Sequence, residues 1–144
     1  MSPTLGWVGW ALLSAAFAAL TAIFAKLGVG SIGSDFATLV RTVVILGVTA
    51  TLVVSTGQWQ SPGSVPARTY GVLVLSGLAT GASWLCYFRA LKLGEASRVA
   101  PLDKLSVVLV AVFGTLVLGE RLSGANWLGV ALIAAGAVLV AYRG

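Results

Sequence analysis

The chain has 144 residues, 58% of them hydrophobic and only 9% charged, with a mean hydropathy of +1.01. Soluble domains carry roughly 25% charged residues, so this composition lacks the polar surface that would keep a globule in water. A net charge of +5 and a pI near 10.0 would suit nucleic acid only if the basic residues massed on one soluble face. The nine Lys and Arg are instead spread singly, mostly at the ends of apolar runs, and no nucleic-acid partner is expected.

The apolar content comes as long runs without the 10-residue alternation of a membrane barrel. A bilayer core of about 30 Å takes roughly 20 helical residues, and five runs approach that length. Met1 to Thr4 hold no basic residue ahead of the first run, which predicts a retained span rather than a cleaved signal. The first span is expected over about 6–27, followed by a short loop from Gly28 to Ser34. That loop holds Gly28-Val29-Gly30-Ser31-Ile32-Gly33, which has the spacing of a dinucleotide fingerprint. The fingerprint needs a preceding strand and an acid about 20 residues later, and neither is present.

The second span is expected over about 35–56, interrupted by Arg41. Turn chemistry from Gly57 to Pro66 separates it from a third span over about 69–91. Lys92 to Ala100 read as a polar connection. Pro101 suits the first turn of a fourth span over about 101–119, with Asp103 and Lys104 in its opening turn. Glu120 to Gly124 form a turn, and a fifth span follows over about 125–142. The whole chain, 1–144, then reads as a single transmembrane domain.

Five spans place the termini on opposite sides. Lys26, Arg89, Lys92, Arg98 and Arg143 fall on one side, with Arg41 and Lys104 just inside, whereas Arg68 and Arg121 fall on the other. This positive-inside bias predicts an outer N-terminus and a cytoplasmic C-terminus. Trp7, Trp10, Trp59, Trp127 and Tyr142 lie near span ends, where amphipathic rings anchor at the interface.

Gly77 and Gly81 are spaced as G-x-x-x-G in the third span and permit close helix packing, although glycine is frequent in membrane helices in any case. Ionisable residues inside lipid are expensive and normally face a partner, water or a pathway. Arg41 is the clearest case. Asp103 and Lys104 are next. As neighbours on one helix they are not expected to face each other, and the long stem of Lys104 can reach the headgroups instead. Trp84, Tyr87, Phe88 and Arg89 either line a cavity for an organic substrate, with Arg89 attracting an anion, or anchor the helix at the interface.

Cys86, alone in an apolar run, is expected as a small buried thiol. With no His and one Cys, neither a zinc cluster nor an intrachain disulfide is available, and no metal or other cofactor is implied. Without paired carboxylates at usable spacing or a base to activate a serine, no enzyme is expected.

The stretch Trp84-Leu85-Cys86-Tyr87-Phe88-Arg89-Ala90-Leu91-Lys92-Leu93-Gly94-Glu95-Ala96 resembles the end of the third helix of EamA domains, in the drug/metabolite transporter superfamily. Val99-Ala100-Pro101-Leu102, Phe113-Gly114 and Leu118-Gly119-Glu120-Arg121-Leu122 resemble that domain's fourth helix and closing Gly-Glu turn, and the span holding Gly129 and Gly136 resembles its last helix. The resemblance implies an all-α integral membrane protein of five transmembrane helices, one EamA-like repeat. The family's usual form has ten helices in two inverted repeats around a central pathway. A single repeat implies a second copy of itself or a sister half-transporter. An antiparallel homodimer would need both orientations of one sequence, which the Lys/Arg bias opposes. The first span also lacks the acid with which small multidrug exporters of the superfamily couple to protons.

The expectation is a half-size transporter in the inner membrane. It would move a small polar or amphipathic metabolite by alternating access as a dimer, with Arg41, Trp84, Tyr87, Asp103 and Lys104 as substrate or pathway residues. The alternatives are a subunit that flips a lipid-linked precursor and a non-transporting membrane partner.

Overall fold

The computed structural model describes residues 6–142. Met1 to Thr4 and Arg143, used in the reasoning above, lie outside them. The described residues form helices α1 (Trp7–Val29), α2 (Ser34–Ser55), α3 (Ala67–Leu93), α4 (Ala96–Asp103), α5 (Ser106–Val117) and α6 (Gly124–Ala141), with one 3₁₀ turn at Pro62–Ser64 and no strand. Five helical segments are long and apolar enough to cross a membrane, α4 and α5 together making the fourth, Ala96–Val117.

Helices follow from the solvent. Lipid offers no hydrogen bonds, so each peptide group must be satisfied within its own segment. The hydroxyls obey the same rule. Thr21, Thr38, Thr42, Thr49, Thr51 and Thr80 each donate to the carbonyl four residues back, which hides the polar group against the helix backbone. Large apolar side chains point outward along every span, with Leu46, Leu75, Leu116 and Leu139 each at least two-thirds exposed. A soluble monomer rarely shows contiguous apolar surface on this scale. Acyl chains are the solvent that suits it.

The chain divides into two compact units. Phe24–Lys92 forms one. Its buried residues are Ala25, Val29, Ala37, Thr38, Phe88 and Leu91, from the end of α1, the start of α2 and the end of α3, so this unit packs at one end. The second half of α2 and the first half of α3 are exposed along nearly their whole length. In the other unit, Met1–Ile23 with Leu93–Gly144, α6 packs on both α4 and α5, and Ala137 is buried.

The fourth span departs from expectation. It begins at Ala96, after a connection of only Gly94 and Glu95, so Pro101 stands inside α4 instead of opening a helix. The polar residues that read as a loop are a first helical turn, with Arg98 paired to Glu95 at 3.1 Å. Proline removes one N–H from the ladder and crowds the carbonyl four residues earlier. Just beyond it the bonding tightens to a three-residue spacing: Lys104 N to Pro101 O at 3.1 Å, Leu105 N to Leu102 O at 3.0 Å and Val107 N to Lys104 O at 2.9 Å. The span is therefore broken between Asp103 and Ser106.

Two glycines end helices in the left-handed region. Beyond α2, Gly57 has φ +66°; its N–H bonds Val54 O and that of Gln58 bonds Val53 O, the paired closure of a Schellman motif. Beyond α5, Gly119 has φ +70°, which turns the Glu120 N–H back to Gly114 O at 3.0 Å. The Glu120 side chain folds over Gly114, where a Cβ would sit 2.6 Å from Oε2. Gly57→Ala is expected to lower stability by about 1 kcal/mol, the penalty of a left-handed L-residue. Gly63→Ala, in open space with an ordinary φ, is expected to be neutral. Thermal unfolding of the purified chain in detergent measures both.

Candidate functional site

The packed end of the Phe24–Lys92 unit is built around the last turns of α3. Trp84, Phe88 and Leu91 recur at helical spacing and share one face, and Phe88 and Leu91 are buried. Cys86 lies about 200° around the helix from Phe88, and it is exposed. The small buried thiol expected from the apolar run is not found, because apolarity in a membrane span marks contact with lipid as readily as contact with protein.

Polar links hold this end together. The Arg89 guanidinium clasps Asp35 with two bonds, Nε to Oδ1 at 3.1 Å and Nη2 to Oδ2 at 2.8 Å. Asp35 occupies the first turn of α2, where a carboxylate complements the helix dipole. Lys26 Nζ donates to Leu91 O at 2.6 Å, one of the last α3 carbonyls, which lack a partner within the helix. Lys92 Nζ donates to Ile32 O in the α1–α2 turn at 2.7 Å. Arg89, a candidate anion attractor by sequence, is thus occupied by a carboxylate of its own chain. Sequence reasoning missed this clasp. Opposite charges at the same end of consecutive spans were the available signal.

Arg41 is held differently. Its guanidinium carbon lies 3.2 Å from the centroid of the Trp84 ring and 6.0 Å from that of Phe88. Trp84 in turn meets Tyr87 edge-on, with centroids 5.5 Å apart and planes at 81°, and Phe88 at 5.9 Å. The fold therefore brings together three of the residues singled out by sequence, Arg41, Trp84 and Tyr87, as a cation stacked on an aromatic cluster. A cation–π contact between two half-buried side chains contributes roughly 1–2 kcal/mol, between the exposed and desolvated cases. Arg41 is the seventh residue after Ser34, about 10 Å along the axis at 1.5 Å per residue, well inside a span.

Asp103 and Lys104 belong to the other unit. They end α4 at the break in the fourth span, rather than opening a helix, and Lys104 Nζ lies 3.3 Å from Asp103 Oδ2. Sequence neighbours on a regular helix diverge by about 100°. Lys104 stays in the right-handed helical region, and the two meet because the long, flexible lysine stem reaches round to its neighbour. Interrupted helices at membrane depth are where transporters commonly place binding groups.

Gly77 and Gly81 have nothing within 4 Å of where a Cβ would stand, so among the described residues no other helix packs closely against them. A second small-residue face was overlooked by sequence. Gly47, Thr51 and Ser55 recur every four residues on α2 and line an open, mostly apolar groove with Val44, Val48 and Leu52. The small-x-x-x-small spacing that marks close helix approach was the signal. The Gly28–Gly33 decoy spans the end of α1 and the turn after it, with Val29 buried. No group of three or more His, Cys, Asp or Glu that could hold a metal ion occurs among the described residues.

The model of the EamA-like transporter family matches residues 5–142. A protein of Sinorhizobium sp. named "Uncharacterized transporter in cobO 3′region" is 72% identical over 135 residues, which cover 94% of this chain and 96% of the relative. No solved structure matches the chain. Both names are those of transporters rather than enzymes, and five apolar helices are what a multi-pass membrane protein requires. With nearly its whole length matched by the family model, the chain belongs to the EamA-like transporter family.

Proposed function

We propose that this chain is a half-size transporter that moves a small polar or amphipathic metabolite by alternating access, working as a dimer in the inner membrane. In this reading its N-terminus is outside and its C-terminus cytoplasmic. The observation that carries the reading is Arg41, a cation seated inside a membrane span and stacked on Trp84. A charged side chain inside the hydrocarbon is costly, up to roughly 2.5–3.5 kcal/mol at the centre of a span on insertion scales, and the ring contact offsets part of that. Such a group is retained where it meets a substrate or a partner.

The dimer is supported by repeat number and surface. One repeat supplies half of the inverted pair between which transporter sites form. The small-residue faces at Gly47, Thr51 and Ser55 and at Gly77 and Gly81 have no helix packed closely against them among the described residues. Asp103 and Lys104, at the break in the fourth span, are the second pair of pathway residues in this proposal.

The test is reconstitution of the purified chain in liposomes. Saturable, protein-dependent uptake of small metabolites is expected, with cross-linking that traps dimers in the same vesicles. Gly81→Leu, which fills the close-approach face of α3, is expected to reduce both trapped dimer and uptake. Uptake by a demonstrably monomeric protein would overturn the dimer, and absence of uptake across a broad metabolite panel would overturn the transporter reading.

A further inference from the structure

We infer that the Arg41–Trp84 site takes an anionic group, a carboxylate or a phosphate, carried on an aromatic or apolar body. The inference rests on the transporter reading only for what becomes of the ligand; the binding site stands on the geometry.

The sequence contains four acidic residues, Asp35, Glu95, Asp103 and Glu120. Three are engaged: Asp35 by Arg89, Glu95 by Arg98 and Asp103 by Lys104. Glu120 sits in the turn beyond α5, folded over Gly114. Among the described residues no carboxylate pairs with Arg41, and no hydrogen bond reaches its guanidinium. Yet Arg41 stands about 10 Å inside α2. The one acid of the Phe24–Lys92 unit, Asp35, is taken by Arg89, so a carboxylate or phosphate paired with Arg41 would be supplied by a ligand.

Contact with Trp84 uses the flat face of the guanidinium and leaves its N–H donors on the edge. That edge is a planar fork, matched by two oxygens of a carboxylate or phosphate. Stacking fixes the plane of the fork in advance, so little side-chain freedom remains to be lost when an anion binds. Trp84 and Tyr87, both half-buried, meet edge-on beside it with Phe88 buried behind them, which suits a flat or apolar body attached to the anion. Arg89 makes the contrast. Its fork is already filled by the two oxygens of Asp35, showing within the same unit the pairing that Arg41 lacks.

A free metabolite and a lipid headgroup present the same chemistry, so the experiment separates them. Tryptophan fluorescence of the full chain in uncharged maltoside micelles is titrated with phenylphosphate, with dihexanoylphosphatidic acid, and with benzylamine and phenyl glucoside as cationic and neutral counterparts. A saturable response to phenylphosphate is expected, with benzylamine and phenyl glucoside at least about 10-fold weaker, because a charge-assisted fork contact is lost. Response to the phosphatidic acid alone would assign the site to a lipid headgroup and support the anion inference from that source.

Arg41→Gln is expected to abolish the preference for anions. Arg41→Lys, which keeps the charge without the fork, is expected to bind several-fold more weakly. Equal response to benzylamine in the wild-type protein would overturn the inference without requiring any variant to fold, as would an unchanged preference in Arg41→Gln. Anion binding without uptake in liposomes would leave the site standing and count against transport. Uptake with no anion preference would do the reverse.

Discussion

Replacing Arg41 with Gln is expected to lower metabolite uptake by reconstituted protein roughly 10- to 100-fold, the range set by losing charge-assisted hydrogen bonds. Gln keeps a polar side chain of moderate length but has neither the charge nor the five-donor fork. It also releases the Trp84 ring from its cation. Trp84→Leu is expected to fall between wild type and Arg41→Gln, because the charge remains while the surface that orients it is gone. Arg68→Gln serves as the control. Arg68 stands in the first turn of α3, outside the aromatic cluster, and its removal is expected to leave uptake within about 2-fold of wild type, as for surface changes away from a site. Cross-linking of the same samples separates two roles for Arg41. Lost uptake with intact dimers places it on the substrate; lost dimers place it at the junction of the two halves. Wild-type uptake in Arg41→Gln at normal expression would remove it from the pathway.

The second large effect is expected at the Asp35–Arg89 clasp. Asp35→Ala leaves the Arg89 guanidinium at the edge of the apolar region without the carboxylate that binds both of its arms. Both side chains are more than half exposed within the chain, and where acyl chains instead of water cover them, removing one member of the pair costs more than removing both. Asp35→Ala is therefore expected to lower thermal stability in lipid more than the double variant Asp35→Ala with Arg89→Ala. The exchange Asp35→Arg with Arg89→Asp is expected to recover part of the loss. Recovery stays partial because it sets a cation at the start of α2 and an anion near the end of α3, both against the helix dipoles. Equal stability of all three variants would show that Lys26 and Lys92, through their bonds to Leu91 O and Ile32 O, hold this end unaided.

The clasp shows where sequence reasoning stops. Asp35 and Arg89 are 54 positions apart, and both carry the ordinary signature of a residue at the mouth of a span. Arg41 was legible as a costly charge, and Trp84 and Tyr87 as an aromatic group, but nothing in their spacing announced that one stacks on another. The start of the fourth span was misplaced for a related reason. Lys92 to Ala100 reads as a polar connection with Pro101 opening the helix, and a polar first turn looks like a loop when composition is the only guide. The exposed Cys86 was misread because an apolar neighbourhood in a membrane protein does not tell lipid from protein.

What the amino-acid sequence determined by itself was the solvent and its consequence. Long uncharged runs can be solvated only by acyl chains, acyl chains demand internally bonded backbone, and that leaves helices of spanning length, together with the motif resemblance that the family match supports. Tertiary structure alone decided which charges are spoken for. It gave Asp35 to Arg89, brought Lys104 back to Asp103 at the tightened turn after α4, and set Arg41 on the face of Trp84. Pairing of this kind depends on distances of 3 to 4 Å between side chains far apart in sequence, and hydropathy constrains each span's length and composition without setting how the spans rotate against one another.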